Sequence, residues 1–324
     1  MKIITLQTIC LIILQLLVVL ALSPFINTLM KKLKAILQSR QGPPLMQGYY
    51  DLLKYFHKET VVSNQTSWVF LVTPFIVFTS VLVASLIVPT FVTITQLYFL
   101  GGIILLIYLF GLGRFFMCSA AMEPGSGFCG MASSREMMLS MLIEPVMLLS
   151  LFVLTLMAGS TNLPVIVSWL SSQGINLFTP GYVLAAISLL IAGIAEMGRV
   201  PFDNPETHYE LTMIHEGMLL EYSGKLLGLM FWASWIKQLL VISLLANLFF
   251  PWGYSLSLHW SNILPAFVFY LIKIFVVCIV VVLIETMIAK VRLFRVKDIL
   301  VASFVISIIA LVISIHKSTG GLSL

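Results

Sequence analysis

Charge is what this chain lacks most. Only 10% of its 324 residues are Asp, Glu, Lys or Arg, against about 25% in a soluble domain. Hydrophobic residues make up 60% and the mean hydropathy is +1.07, which excludes a soluble globular fold. Cysteine is scarce as well: Cys10, Cys118, Cys129 and Cys278 are the four, and none forms a CxxC pair. Iron–sulfur clusters and structural zinc need closely spaced thiolates, so these cysteines read as small buried residues. No metal or cofactor is expected in this chain. Haem is excluded on similar grounds. A membrane cytochrome pairs histidines inside helices, whereas His57, His208, His215 and His259 fall in polar connections and His316 at a helix end. There is no P-loop, and no nucleotide or flavin site is expected. The net charge of +5 comes from short basic clusters without a nucleic-acid-binding motif, so no nucleic-acid partner is expected.

What is present is apolar length. Eight runs are long enough for the ~20 residues that a bilayer core requires, near 3–29, 69–94, 98–118, 137–158, 181–197, 225–250, 264–288 and 298–316. The first follows Lys2 and is too long for a signal-peptide core of about 7–15 residues. Runs of this length satisfy their backbone only as helices in lipid. The expected fold is therefore all-α and integral to the membrane, a single domain over 1–324 with about eight transmembrane helices. Lys and Arg concentrate in alternate connections: Lys31, Lys32, Lys34, Arg40, Lys54 and Lys58 in the first, Arg135 in the third, Arg199 in the fifth, and Lys290, Arg292, Arg295 and Lys297 in the seventh. The positive-inside rule then predicts cytoplasmic loops at about 30–68, 119–136, 198–224 and 289–297, with both termini on the outer, periplasmic face.

The polar residues are concentrated where chemistry could occur. The fifth connection carries Glu196, Arg199, Asp203, Glu206, His208, Glu210, His215, Glu216 and Glu221. Asn204 before Pro205 is a helix-start signal. A helix running on from there places Glu206, Glu210 and Glu221 on one face and His208 and His215 on the other. Crowded carboxylates need cations or raised pKa values, which makes a proton-handling cluster; a solvated acidic loop is the other reading. Within the apolar runs lie Glu144, Lys237, Lys273 and Glu285, the last two about 18 Å apart along one helix. Each charge at a helix centre costs roughly 2.5–3.5 kcal/mol, which points to a polar path or to structural ion pairs. The first connection contains Arg40, Gly42-Pro43-Pro44 and then Tyr49-Tyr50-Asp51-Leu-Leu-Lys54, an extended turn followed by a short amphipathic segment. Glu123-Pro-Gly125-Ser-Gly127 reads as a small flexible loop, and Ser133 with Glu136 as a capping box opening the fourth helix.

These residues carry a resemblance. Pro201-Phe202-Asp203, Glu206, Glu210-Leu211 and Glu221-Tyr222-Ser223-Gly224, with Arg40-x-Gly42-Pro43, Asp51, Lys54, Arg135 and Glu144, resemble subunit 1 of respiratory complex I over nearly the whole chain. The first loop is shorter than in complex I, and extra residues stand around His215-Glu216. Lys237-Gln238 occupies the place where complex I has a glutamate before a tyrosine. Together with Ser134-Arg135-Glu136, Ile143-Glu144-Pro145, Asn204-Pro205-Glu206-Thr207-His208 and Glu285 followed by Lys290 and Arg292, that pair is similar to the membrane subunit of group 4 nickel–iron hydrogenases.

The resemblance implies a non-catalytic subunit of an oxidoreductase complex in a prokaryotic inner membrane. It implies ion coupling through Glu144, Glu196, Asp203, Glu206, Glu210, Glu221, Lys237, Lys273 and Glu285, and docking of a hydrophilic arm near Arg40, Asp51, Lys54, Arg135 and Arg199. The implied partners are the hydrogenase large and small subunits, which hold the nickel–iron centre and iron–sulfur clusters, and antiporter-like membrane subunits. A quinone-reducing complex I subunit and a free-standing ion transporter are the alternatives.

Overall fold

A computed structural model describes residues 6–63, 66–91, 102–203, 213–253 and 260–320. Among these the chain forms ten α-helices: α1 (Leu6–Leu37), α2 (Gln47–His57), α3 (Trp68–Ile87), α4 (Ile103–Met122), α5 (Gly127–Ala158), α6 (Leu163–Gln173), α7 (Pro180–Glu196), α8 (Gly224–Phe249), α9 (Trp260–Met287) and α10 (Leu293–Gly320). Seven are long and apolar enough to cross a membrane, and α7 is a shorter apolar helix of 17 residues. The eight expected membrane helices are therefore present. At 1.5 Å per residue, α7 spans about 26 Å. A helix that stops short of a ~30 Å core leaves its last residue, Glu196, inside the protein.

The helices extend beyond the apolar runs. α1 continues through Lys31, Lys32 and Lys34, and α5 starts at Gly127 rather than near 137. Charged residues favour helix once water is available, so hydropathy marks the bilayer and not the helix end. The third loop contracts to the few residues between Met122 and Gly127. The capping-box expectation is corrected: Ser133 lies two turns into α5 and donates to the Cys118 carbonyl, and Glu136 faces Arg114. The fourth connection holds α6, which its short apolar stretch did not announce. The single helix expected from Asn204 to Glu221 is not continuous, because residues 213–215 are non-helical and a 3₁₀ turn spans Glu216–Leu219. Asn204, Pro205, Glu206, His208 and Glu210 lie outside the described residues.

α8 is the central helix: 67% of its apolar window is buried, against 22% for α10. It packs on α1, α2 and α3, while α10 lies against α5 and α7. Side-chain hydroxyls tie these helices where lipid offers no partner. Ser150 meets Ser188 at 2.7 Å, and Ser303 donates to the Ser188 carbonyl at 3.2 Å. Two prolines free carbonyls that other elements then take up. Pro24 has no N–H for the Leu20 carbonyl, which instead accepts from the Trp232 indole at 3.3 Å and from Ser23 at 3.2 Å. Pro74 likewise frees the Phe70 carbonyl, which accepts from the Tyr222 hydroxyl at 2.9 Å. α2 lies on α1 and α8, where Gly48 N–H donates to Thr28 Oγ1 at 3.1 Å. It is the amphipathic segment expected of the first loop, with Leu52 buried and Tyr50 and Leu53 exposed.

Candidate functional site

The site starts at the end of α7. Gly198 N–H donates to the Ala195 carbonyl and Arg199 N–H to the Ile194 carbonyl, the two bonds of a Schellman motif. Its left-handed position falls on Gly198, with φ +62°. This cap ends the helix on Glu196 and turns the chain so that Glu196, Arg199 and Asp203 point into different neighbours.

Glu196, 1% exposed, is held by Arg114 of α4 and by Lys237 of α8, the latter at 3.2 Å. Arg114 is also buried and shares itself among three carboxylates: Nη2 pairs with Glu196, Nη1 with Glu144 at 2.6 Å and Nε with Glu136 at 3.2 Å. A guanidinium presents five donors in a fixed plane, so one side chain can serve three acids, where an ammonium is a single point of charge. Two cations, Arg114 and Lys237, thus face three acids. Glu144 is the open member, its side chain 40% exposed in mid-helix, while Glu136 is 3% exposed.

Asp203 connects this hub to the loops. Its Oδ2 accepts from the backbone N–H groups of Ile214 and His215 at 3.2 and 3.0 Å, and its Oδ1 from Lys290 at 3.3 Å. Burial pushes the Asp203 carboxyl up, but the His215 imidazole and N–H and the Lys290 ammonium outweigh that and hold it down at about 2. His215 lies between two acids, Nδ1 3.6 Å from Asp203 and Nε2 3.5 Å from Glu136. Burial pulls its pKa down; Glu136 and Asp203 together overcome this, against Lys237, and raise it above the usual 6.5.

A second buried group sits nearby. Arg199 is 3.4 Å from Glu285 and donates to Asn27 Oδ1 at 3.2 Å and to Gln238 Oε1 at 3.1 Å. Lys34 closes on the other oxygen of Glu285 at 2.8 Å. A cavity of about 490 Å³ joins the two groups. Arg114, Glu136, His215, Lys237 and Arg199 line its polar part, and Val77, Val81, Phe110, Met117 and Trp235 its apolar part.

Of the residues singled out in the sequence, Glu144, Glu196, Asp203 and Lys237 come together here, with Glu285 in the neighbouring group. Glu221 is exposed, beside the Tyr222 that anchors the fifth connection. Lys273 is half-buried on α9 and does not line the cavity. Arg199, expected at a docking surface, is buried in its ion pair. Arg40 and Lys54 are exposed, Asp51 lines the cavity and accepts from Gln47, and the Arg135 guanidinium is 3.5 Å from the Met213 carbonyl. Sequence reasoning missed Arg114, Glu136, His215 as a bridge, and the Lys34–Asn27–Gln238 surround of Arg199. The available signal was Arg114 itself, an arginine inside an apolar run that had to find acids. Among the described residues, no three His, Cys, Asp or Glu side chains gather as metal ligands.

A profile of the NADH dehydrogenase family matches residues 9–315. Formate hydrogenlyase subunit 4 of Escherichia coli (strain K12) is 36% identical over 283 residues, covering 86% of this chain and 90% of that protein. Hydrogenase-4 component C of the same strain is 34% identical over 278 residues, covering 86% and 87%. Among solved structures, a chain of the membrane-bound sulfane sulfur reductase, an archaeal respiratory membrane complex, superposes with a TM-score of 0.82 over 94% of this chain and 99% of that one. At 20% identity that likeness speaks for the fold alone. Matched along almost its whole length, this multi-pass membrane protein belongs to the NADH dehydrogenase family and is of the complex I subunit 1 type.

Proposed function

We propose that the chain is the membrane-anchoring, ion-coupling subunit of a group 4 nickel–iron hydrogenase complex in a prokaryotic cytoplasmic membrane. The observation that carries this is the Arg114 hub: three acids on two helices, Glu136, Glu144 and Glu196, share one guanidinium beside a cavity. With Lys237 counted, the acids exceed the cations by one, so the group can hold and release a proton at little electrostatic cost. The relatives named for formate hydrogenlyase and hydrogenase-4 support a hydrogenase over other members of the family. Lys237, which replaces a complex I glutamate in the sequence comparison, has a defined place as the second cation on Glu196. The nickel–iron centre and iron–sulfur clusters belong to the hydrogenase large and small subunits, docked on the face that carries α2 and the fifth connection. Glu144, the hub's exposed acid, faces outward toward neighbouring antiporter-like subunits. Asp203, Glu206 and Glu210 take part from the fifth connection.

A second reading, a quinone-reducing complex, is favoured by the half-apolar cavity, whose size suits an aromatic headgroup. Mild-detergent affinity purification of the tagged chain separates the two. Nickel and iron in the preparation, with hydrogen evolved from a reduced dye, support the hydrogenase. Flavin mononucleotide with quinone reductase activity and no nickel overturns it.

A further inference from the structure

His215 occupies a built position. Its ring lies over Gly198, where a Cβ would stand 2.7 Å from Nδ1. The positive φ and the imidazole therefore both require glycine there. Each end of the ring faces a different acid: Asp203 from the segment after α7, and Glu136 from α5. Neither ring nitrogen makes a hydrogen bond at its present distance, and Glu136 Oε2 is also buried without one. Buried polar atoms without partners are rare in folded proteins and mark places where something else binds or moves. Here His215 and Glu136 both border the cavity, which is large enough for several waters.

We propose that His215 is the proton relay that loads the Arg114 hub from the cavity. Asp203, 3.6 Å from Nδ1, favours the proton on that nitrogen and so the tautomer that leaves Nε2 as the basic nitrogen toward Glu136. Nε2 takes a proton from hydronium in the cavity, giving an imidazolium and water. It then passes that proton to Glu136, giving a neutral ring and a carboxylic acid. The gap of 3.5 Å closes to hydrogen-bond length by a shift of about 0.6 Å.

The surroundings suit a ring that changes charge. Glu136 and Asp203 stabilise the imidazolium, while Lys237 from α8 and Arg114 from α4 favour its discharge once Glu136 is free to accept. Lys290, after α9, keeps Asp203 ionised, and Arg199 borders the same cavity. Arg135 of α5 reaches the Met213 carbonyl close by, and Glu216 follows His215 in the chain. The ring's pKa is raised above the usual 6.5 by the two acids, which favours the imidazolium that the relay passes on.

The relay rests on the ion-coupling reading, and the experiment distinguishes the two. The whole complex is placed in inverted membrane vesicles and driven with reduced methyl viologen. Hydrogen evolution is followed together with acidification or radiosodium uptake. In His215→Gln, hydrogen evolution by the detergent-solubilised complex stays within about twofold, whereas ion movement per hydrogen falls at least about tenfold. In His215→Ala, added imidazole restores ion movement, and a series of substituted imidazoles does so in the order of their basicity, which a merely structural role would not produce. Ion movement in His215→Gln equal to that of the unaltered complex overturns the relay. Absence of ion movement in the unaltered complex overturns the coupling reading itself. If both variants fail to assemble, the pH profile of the unaltered complex decides: an inflection above pH 6.5 supports the relay, and a flat profile through that range overturns it.

Discussion

Two buried arginines lie a short distance apart in this molecule and are neutralised in opposite ways. Arg114 meets three acids and shares one of them, Glu196, with Lys237, so among the described residues these acids outnumber the two cations by one. Arg199 meets one acid among the described residues, Glu285, which Lys34 also approaches. The remaining donors of Arg199 go to the neutral amide oxygens of Asn27 and Gln238. A group with a spare acid can take up a proton without leaving a bare charge in the protein. Protonating Glu285 instead takes away the carboxylate that faces Arg199 and leaves it the neutral oxygens of Asn27 and Gln238 among the described residues. The first arrangement suits a working site, and the second a fixed clamp between α1, α7 and α9. Both contain residues that the sequence marks only as intramembrane charges.

The largest effect should follow removal of the shared cation. Arg114→Met strips Glu136, Glu144 and Glu196 of their shared guanidinium, and breaking a buried pair costs about 3–5 kcal/mol even for a single partner. The expected outcome is no chain recovered in the detergent-extracted complex. Arg114→Lys keeps the charge but not the three-way geometry and should give reduced yield. Normal yield and ion movement in Arg114→Met would mean that the acids do not depend on it.

Next comes a paired substitution that tests the contrast directly. Glu285→Gln removes the buried carboxylate between Arg199 and Lys34 and should lower stability by about 3–5 kcal/mol, seen as loss of assembled complex. Adding Lys34→Met should recover part of it, since directly interacting residues couple by about 0.5–3 kcal/mol. Glu196→Gln leaves two acids for two cations, so assembly should persist while ion movement is lost. The opposite pattern, with Glu285→Gln assembled but uncoupled and Glu196→Gln unassembled, would reverse the roles assigned to the two groups.

Stability against pH gives a smaller effect. The Asp203 pKa is depressed from 3.8 to about 2 in the folded protein, so its contribution is present above pH 3.8 and is lost as pH falls toward 2. The His215 pKa is raised above 6.5, so its contribution is fully present below pH 6.5 and is lost as pH rises through the folded value. Thermal unfolding of the purified complex should therefore be shifted by His215→Gln below pH 6.5 and progressively less above it. A shift that is constant with pH would separate His215 from its two acids.

How much of this was legible follows from where each signal resides. The eight membrane helices could be read because burial in lipid writes itself as unbroken apolar length. Their ends could not, since Lys31, Lys32, Lys34 and Arg135 remain helical outside the apolar runs. Glu144, Glu196, Asp203 and Lys237 stood out as charges in costly places, but their partners are non-local: Arg114 lies 82 positions from Glu196, and Lys34 lies 251 from Glu285. Glu136 was hidden by a local pattern that matched a helix start. Glu221 shows the converse. It belongs to the most distinctive sequence block, yet its side chain is exposed, and the structural role falls to its neighbours.

Those neighbours yield the smallest effect and the most local test. Tyr222 stacks on Phe70 with ring centroids 4.0 Å apart and donates to the Phe70 carbonyl that Pro74 cannot serve. Ser223 exchanges hydrogen bonds with the Val61 backbone at 2.7 and 2.8 Å, which joins the fifth connection to the first. Tyr222→Phe keeps the stacking and removes the hydroxyl, leaving a buried acceptor unsatisfied at a cost of about 1–3 kcal/mol. Because Tyr222 is distant in the chain from the acids of the hub, the loss should appear as a lower unfolding temperature with ion movement per hydrogen unchanged. Combining Tyr222→Phe with Pro74→Ala should abolish most of the penalty, because an alanine N–H can serve the carbonyl within α3. If the double variant is as unstable as the sum of its parts, the tyrosine is not there to repair the proline.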